Sequence, residues 1–302
     1  MIKVIAIGRC CYDINLDVDQ MPAEGSVMEF PEKQGCGGGS GANMAYCLAK
    51  WGAHVTFSGV LGNDIFGTRI KKEFDSVHID LRYLEQVYDA DTTITLNITN
   101  KNTKVHTTYN IYDKYVSCKK LDYDFTPDLI ICDGYDPVAD KQVLERFPKV
   151  ISILDASIIT KYVADIIHKF KYCICSLEFA ETLSGVKADF NRPETLVSMY
   201  QKIHKGHQNT HIIITLGSKG AMYFVNNQIK VSPSLKVDTI DTTGAGAAFR
   251  SGFAYSIMQD GDLEKAVKFG NIAGSLATTK KGGRTSFPSI TEVKNLYEQN
   301  YE

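Results

Sequence analysis

Short runs of β-branched residues alternate with amphipathic stretches along most of this chain, and this alternation constrains the fold more than any other feature. Such runs are typical of strands buried on both faces, and strands separated by helices form a mostly parallel sheet with helices on both sides. Apolar residues at helical spacing occupy 41–51, 140–147, 193–204 and 245–258. The predicted strands are 4–7, 54–58, 129–132, 150–154, 172–175 and 211–215. The sequence therefore predicts an α/β fold.

Segment 92–113 breaks the pattern, because its apolar and polar residues alternate around a polar turn at 100–102. This pattern predicts an antiparallel hairpin. Since a half-polar hairpin does not fit inside a sheet covered on both faces, we expect a small β-sheet lid with a partner strand from 13–33. No repeat or linker divides the chain. We therefore predict one domain over 1–302, with a lid formed by about 13–33 and 90–114 as insertions.

The charge balance excludes strong global attraction to anions. Thirty-three Lys and Arg oppose 35 Asp and Glu, a net charge of -2, so we expect no nucleic-acid or membrane partner, and any anion must be bound by local geometry. The chain lacks a signal-peptide pattern and a long apolar run, so we expect a cytoplasmic protein. Its eight cysteines are scattered, without paired zinc-site spacing, and should be reduced thiols.

A glycine-rich turn leads directly into the last long helical stretch. It reads Asp241-Thr-Thr-Gly-Ala-Gly, and its backbone amides at Gly244, Ala245 and Gly246 would point to one place at a helix N-terminus. Anions bind at such places without needing a basic protein. An ordinary glycine-rich connection is the alternative, and the chain contains no GxxxxGK[ST] phosphate-binding loop.

Two further glycine-rich segments accompany the predicted sheet. Thr215-Leu-Gly-Ser-Lys-Gly220 follows a predicted strand, at the end where α/β sheets bind ligands, although a plain turn would look the same. Residues 35–41 contain five glycines in seven positions and lead to Asn43. Such a run lets the backbone approach a polyhydroxylated ligand, and a flexible loop is the alternative.

Three motifs follow one another in order along the chain. They are Gly38-Gly39-x-x-Ala42-Asn43, Thr215-x-Gly217-x-x-Gly220, and Asp241-Thr-Thr-Gly-Ala-Gly followed by x-x-Phe-x-x-Gly-Phe. Together they resemble the ribokinase-like, or PfkB, family of carbohydrate kinases. Gly8-x-x-x-x-Asp13, the glycines around Asp64, and Lys281-Gly-Gly-x-x-Ser-x-Pro288 extend the resemblance to nearly the whole chain. It implies an α/β domain with a β lid that transfers the γ-phosphoryl group of ATP to a hydroxymethyl group of a sugar.

The resemblance also implies roles for individual residues. Sugar hydroxyls would be held by Asp13, Gly38, Gly39 and Asn43, with a residue that simply ends a strand as the alternative for Asp13. The nucleotide would contact Thr215, Gly217 and Gly220, and its adenine would lie near Asn271 and Gly274. Gly244, Ala245 and Gly246 would form the anion hole. Members of the family often hold a monovalent cation such as K⁺ at the positions of Asp241, Thr243, Gly283 and Ser286.

One position departs from the family motif at its chemical centre. The residue after Gly-Ala-Gly is the family's general-base aspartate, and here it is Ala247. A methyl group accepts no proton, and a positioned base contributes about 10²–10⁴ in rate, so we expect binding to survive and turnover to be strongly reduced. An engineered Asp→Ala that traps substrate and a natural pseudokinase both explain Ala247.

A second departure concerns the magnesium ion. Many relatives carry Asn-x-x-Glu where this chain has Ser176 and Phe179. Ketohexokinase-like branches of the family also lack that pair, so we interpret the change as a branch feature. Glu178 and Glu181 are candidate substitutes, with helix-surface carboxylates as the alternative. Mg²⁺ is still expected because ATP brings it.

Specificity should depend on the lid and on residues beside Asp13. A basic and aromatic set lies there: Arg9, Tyr12, Asn15, Lys104, His106, Tyr109 and Tyr112. This set would suit a substrate with an anionic or bulky group, but each member could face solvent. We therefore predict a ketose or modified sugar phosphorylated on a primary hydroxyl, with Arg9 and Tyr109 in contact.

Other functions remain open. A nucleoside kinase of the same family, or a non-catalytic sugar or nucleotide sensor, would fit the same motifs. A Rossmann oxidoreductase is disfavoured, because no GxGxxG lies between the first strand and helix. The unpaired edges of a protruding hairpin predict a homodimer through the lid.

Overall fold

The computed structural model describes residues 1–29, 34–103, 106–112, 114–157 and 159–301. Lys104 and the side chain of His106, two lid residues named above, lie outside this part. Within it, the chain forms a large sheet with helices on both faces and a small second sheet.

The large sheet is mostly parallel. Its strands are β1 Lys3–Ile7, β4 His54–Gly62, β5 Leu84–Val87, β8 Leu129–Cys132, β9 Ile151–Ala156, β10 Tyr172–Ser176, β11 His211–Thr215, β12 Ala221–Val225 and β13 Gln228–Ser232. They lie in the order β13-β12-β11-β10-β9-β8-β1-β4-β5. The β11–β12 and β12–β13 pairs are antiparallel, and the other pairs are parallel. The carboxyl ends of β1, β8, β9, β10 and β11 therefore meet at one edge.

Strand β1 shows why the sequence forms this sheet. Val4 and Ala6 pack in one apolar cluster, and Ile5 and Ile7 pack in the other. Because successive side chains of a strand point to opposite faces, a continuous apolar run supplies both clusters. All six predicted strands are present within a few residues of their expected bounds. The predicted α/β fold with a lid is confirmed.

The helices cover the two faces. They are α1 Ser40–Lys50, α2 Ile65–Ser76, α3 Pro137–Arg146, α4 Lys161–Ile166, α5 Leu177–Ser184, α6 Pro193–Gly206, α7 Ala245–Asp260, α8 Leu263–Ala277 and α9 Ile290–Tyr301. One face carries α1, α2 and α7–α9, and the other carries α3–α6. Helix α3 begins three residues before its apolar pattern, because Pro137 is its first residue and Asp136 caps it by accepting from the Ala139 amide at 3.1 Å.

The second sheet lies beside this edge. Its strands are β2 Cys11–Val18, β3 Gln34–Gly38, β6 Ile94–Asn100 and β7 His106–Ile111, in the order β3-β2-β6-β7. Strands β6 and β7 form the predicted antiparallel hairpin, and β2 pairs with β6 in parallel. Because β2 follows β1 after only a few residues, it carries the chain from the edge of the large sheet directly into the lid.

The glycine-rich run before α1 is not a flexible loop. Residues 34–38 pair with β2 as an antiparallel strand. A Cβ on Gly35 would lie 2.7 Å from the Tyr12 ring, and one on Gly38 would lie 2.1 Å from Asp13 Oδ2. The glycines are needed because side chains of β2 occupy this space. The lid sheet thus includes 11–12 and 34–38, outside the segments expected for it.

Candidate active site

A cavity of about 400 Å³ lies at the carboxyl end of β11, beside the first turn of α7. Its lining includes every residue that the sequence assigned to the nucleotide: Thr215, Gly217, Gly220, Asn271 and Gly274. Ala245 and Gly246 line the same cavity. The structure therefore brings the candidate nucleotide-binding residues and part of the candidate anion hole together.

Apolar side chains form part of this cavity, contributed by Leu235, Val237 and Phe249. Such a wall suits a planar apolar ring with a few polar groups at its edge. Asn271 supports the wall, because its Nδ2 donates to the carbonyl oxygens of Ser232 at 3.0 Å and Pro233 at 3.2 Å. Asn271 thus holds the segment that follows β13 against the cavity.

Helix α7 begins at a turn that leaves amide groups free. Gly244 caps the helix in the left-handed region with φ 83°. The first helical hydrogen bond runs from the Ala248 amide to the Gly244 carbonyl at 2.9 Å. The amides of Gly246 and Ala247 precede it and have no partner within the helix, so the turn can bind an anion.

Asp13 lies on β2, where the chain leaves the large sheet for the lid. It is 8% exposed, and burial raises the pKa of its carboxyl. The Cys11 thiol donates to Oδ1 at 3.3 Å. A thiol is a weak donor, so this buried carboxylate can still accept strong hydrogen bonds from the hydroxyls of a bound sugar.

Asn43 of α1 is held by an arginine that the sequence analysis did not single out. Arg284 Nε donates to Asn43 Oδ1 at 3.0 Å, and its Nη1 lies 2.7 Å from Glu73 Oε2. Glu73 in turn accepts from the Gly37 amide at 2.9 Å. This network joins the chain near its C-terminus to α1, α2 and the lid, and it fixes the orientation of the Asn43 amide.

The sugar-side residues and the anion hole adjoin each other. A Cβ on Gly244 would lie 3.3 Å from Gly283 Cα, and one on Gly283 would lie 3.7 Å from Cys36 Sγ. Cys36 is directly opposite Asp13 in the β2–β3 ladder. The candidate anion hole, which borders the cavity, is therefore linked through Gly283 to the strand pair that carries Asp13.

A buried ion pair lies beneath the anion hole, and it too was missed. Arg250 Nε is 2.8 Å from Asp155 Oδ1, with the side chains 5% and 0% exposed. The Nε–H does not point along a hydrogen-bond direction, so the contact is mainly electrostatic. Ser40 Oγ donates to the other Asp155 oxygen. A Cβ on Gly246 would lie 2.7 Å from Arg250 Nη1, so the guanidinium lies directly beside the anion hole.

Asp133 holds together three backbone segments near the candidate sugar-binding residues. It accepts from the backbone amides of Arg9 at 2.9 Å, Gly41 at 3.0 Å and Tyr135 at 3.0 Å. Burial raises its pKa to about 6 despite these bonds. Asp133 directly follows the predicted strand 129–132, and a carboxylate at a strand end of this sheet was a signal that could have identified it.

The four candidate cation-binding residues lie in two touching loops. Asp241 Oδ1 accepts from the Thr243 amide at 2.9 Å, and Oδ2 accepts from the Gly282 amide at 2.8 Å. Ser286 Oγ donates to the Gly283 carbonyl at 2.8 Å. A carboxylate, a carbonyl and hydroxyls within two bonded loops are ligands that fit a hard cation.

Several other candidates have structural roles or lie apart. Tyr109 is 53% exposed on the outer lid strand β7, and no described contact joins it to Asp13. Asp64 caps α2 by accepting from the Gly67 amide at 2.7 Å. Glu181 contacts Lys187 Nζ at 2.6 Å, and Glu178 is exposed.

Two kinds of feature are absent from the described ranges. No group of three or more His, Cys, Asp or Glu side chains is arranged there to hold a metal ion. None of the described helices combines the length and the apolar character needed to cross a bilayer.

Comparisons with known proteins agree with this geometry. The family model for pfkB family carbohydrate kinases matches residues 1–290. The chain is 28% identical to a deoxyribokinase of Salmonella typhi over 98% of this chain and 99% of that protein. It is 26% identical to a ribokinase of Bacillus subtilis, with the same shares covered. Its fold matches Arabidopsis thaliana ribokinase complexed with ribose and ATP, with a TM-score of 0.82, 23% identity and 98% of each chain covered. The chain belongs to the pfkB family of carbohydrate kinases.

Proposed function

We propose that this chain is built as an ATP-dependent sugar kinase that transfers the γ-phosphoryl group to a primary hydroxyl of a ketose or modified sugar. Ala247 occupies the place of the general base, so the chain as it stands would bind both substrates and turn over slowly. The observation that carries the proposal is the position of the turn at Gly244–Gly246, which borders a cavity with an apolar wall and is linked through Gly283 to the strand pair that carries the buried Asp13 carboxylate.

The arrangement supports phosphoryl transfer by positioning and electrostatics. Asp13 and Asn43 would hold the hydroxyls of the sugar, with Gly38 and Gly39 leaving room for it. The amides of Gly246 and Ala247 would bind the charge that develops on the transferred group. Relatives named deoxyribokinase and ribokinase support a sugar acceptor.

We propose ATP with Mg²⁺ as the phosphoryl donor, with the metal carried by the nucleotide. Mg²⁺ neutralises phosphate charge when it is bound. Glu181 is engaged by Lys187, so the protein itself adds few free carboxylates there. The loops of Asp241 and Gly283 support a K⁺ site, whose charge would lie beside Gly244 and strengthen the anion hole. Use of ATP favours a cytoplasmic protein.

The test of turnover is a matched pair of substitutions at one position. Ala247→Asp restores a carboxylate, whereas Ala247→Asn adds the same bulk without a base. ATP-dependent phosphorylation should rise about 10²–10⁴-fold in the first variant only. The acceptors should include ribose, deoxyribose, fructose and adenosine, so that a nucleoside kinase is detected.

Binding provides the second test. Calorimetric titration of the chain as it stands should show affinity for ATP. If no adenine nucleotide binds, the kinase proposal fails. If ATP and a sugar bind but Ala247→Asp gains no turnover, the chain is a natural sensor and not an inactivated enzyme.

We also propose that two copies associate through the lid. Tyr109, Ile111 and Tyr112, on or beside β7, are 53%, 56% and 64% exposed. An edge strand that carries exposed apolar residues is usually covered. Sedimentation at micromolar concentration should show a dimer that Ile111→Glu dissociates, and a monomeric parent chain would refute this proposal.

A further inference from the structure

Arg9 differs from the other arginines of the chain. The sequence contains seven, and six of them have partners in the structure. Arg69 donates to the Tyr12 hydroxyl at 3.2 Å, and the remaining five form ion pairs. Those five are Arg82, Arg146, Arg192, Arg250 and Arg284. The Arg9 side chain makes neither a hydrogen bond nor an ion pair with any residue that the structure describes.

The missing partner matters because Arg9 is partly buried. A guanidinium carries five N–H donors, and removing them from water without acceptors costs free energy. Among the described side chains, the Tyr135 ring lies under it, with its centroid 5.8 Å from Cζ. That contact compensates for the charge in part and leaves the donors unused.

The position of Arg9 links it to the sugar site. It lies two residues after the end of β1, and its carbonyl oxygen lies 2.0 Å from where a Cβ on Gly39 would be. Burial is the largest cause that acts on the pKa of Asp13, and it raises that pKa. The positive charge of Arg9 acts in the opposite direction and lowers it. A small cavity of about 40 Å³ beside Arg9 and Tyr135 offers room for a compact polar group.

Nearby carboxylates do not use the Arg9 donors. The carboxylate oxygens of Asp133 accept hydrogen bonds from three backbone amides. Asp136, in the wall of the small cavity, accepts from Tyr115, Ser117, the Cys118 amide and the Ala139 amide. Asp91 also lines that cavity, together with Lys114, whose Nζ lies 2.7 Å from Asp89 Oδ2, and no described hydrogen bond or ion pair joins Asp91 to Arg9. The guanidinium therefore remains available to a ligand.

We propose that Arg9 is a specificity-determining residue that binds an anionic group, a phosphate or carboxylate, on the sugar substrate. The group would lie on the part of the sugar away from the hydroxyl that is phosphorylated. A guanidinium matches the planar oxygen pairs of both groups with two parallel hydrogen bonds. This inference rests on the proposed function and specifies its substrate class.

The experiment compares matched sugars on the chain as it stands, in which Ala247 limits turnover. The pairs are ribose with ribose 1-phosphate, fructose with fructose 1-phosphate, and sorbitol with gluconate. Each pair keeps a free primary hydroxyl. Calorimetry should show at least tenfold tighter binding of the anionic member in at least one pair, and this preference should shrink as salt is added.

Variants then assign the preference to Arg9. Arg9→Gln should reduce the ratio of anionic to neutral affinity below threefold, whereas Arg9→Lys should retain part of it. Arg82→Gln, which removes an exposed arginine, should leave the ratio unchanged. Melting curves establish that each variant is folded.

Three results would overturn the inference: neutral sugars that bind as tightly as their anionic partners, an Arg9→Gln variant that weakens both members equally, or the same change in Arg82→Gln. Failure of the kinase proposal looks different, since it would appear as no affinity for ATP. A chain that binds ATP and neutral sugars but prefers no anionic sugar refutes only the role of Arg9.

Discussion

Replacing Arg250 by methionine should reveal how strongly the ion pair beneath the anion hole stabilises the fold. Methionine fills a similar volume but leaves the Asp155 carboxylate without its cation. Asp155 is 0% exposed, and its remaining donors among the described residues would be the Ser40 hydroxyl and the Ser157 amide, the latter at 3.1 Å. Removing one partner of such a buried pair costs about 3–5 kcal/mol, and we expect this loss in the free energy of unfolding.

Arg82 provides the matched control. It makes more contacts than Arg250, with Asp80 at 2.8 Å and Asp124 at 2.9 Å, but its side chain is 58% exposed. Water can solvate the Asp124 carboxylate, which is 62% exposed, and Asp80, which is 13% exposed, keeps the backbone amide of residue 82 as a donor at 3.0 Å. The expected loss is therefore at most about 1 kcal/mol. The comparison shows whether burial or the number of contacts decides the cost.

Urea unfolding provides the assay, and the single tryptophan, Trp51, provides a buried fluorescent probe. The double variant Arg250→Met, Asp155→Asn should be more stable than Arg250→Met alone, because the amide removes the uncompensated charge and keeps hydrogen bonds. The reasoning is wrong if Arg250→Met costs no more than Arg82→Met, or if Asp155→Asn lowers the stability of the single variant further.

Two further predictions concern the same edge of the sheet. Gly39→Ala should lower the free energy of unfolding in urea by about 2–5 kcal/mol, because its Cβ would lie 2.0 Å from the Arg9 carbonyl oxygen. Gly52→Ala, at a similar φ with nothing within 4 Å of its Cβ, should lower it by about 1 kcal/mol. Equal losses in the two variants would refute the steric argument. Because the pKa of Asp133 is raised from 3.8 to about 6, its contribution to stability is fully present below pH 3.8 and is lost as pH rises through about 6. The difference in unfolding free energy between the parent chain and Asp133→Asn should therefore fall by up to about 3 kcal/mol from pH 4 to 7, and no change with pH would contradict the raised pKa.

The sequence predicted the central strands better than the edge of the sheet. Strands such as β8 are buried on both faces and appear as uninterrupted apolar runs. β5, with the sequence LEQV, and β13, with the sequence QIKVS, are only partly buried and mix polar residues without a clear period. Their position depends on the neighbouring strand, which local sequence does not show.

The candidate site also contains residues that the sequence predicted and residues that it did not. Glycine-rich turns such as Gly244–Gly246 can be predicted from the sequence, because the conformation of a turn depends on consecutive residues. Arg284 and Glu73 are 211 positions apart, and nothing in either segment indicates the other. Charge pairs between distant parts of the chain form only when the chain folds. Sequence motifs therefore predict the turns that approach a ligand, but they do not predict the side chains that hold those turns in place.

The distribution of arginines bears on the proposal that a chain with a net charge of -2 binds an anionic sugar. Arg250 and Arg284 lie near the site, but Asp155 and Glu73 neutralise them, so they mainly hold the anion hole and Asn43 in place. Arg9 has no such partner among the residues that the structure describes. Since a charge acts most strongly on a ligand that its donors contact directly, the Arg9 guanidinium and the amides of Gly246 and Ala247 would bind one anionic group in spite of the overall charge balance. Net charge therefore excludes binding over a broad surface and leaves recognition of a single anionic group open.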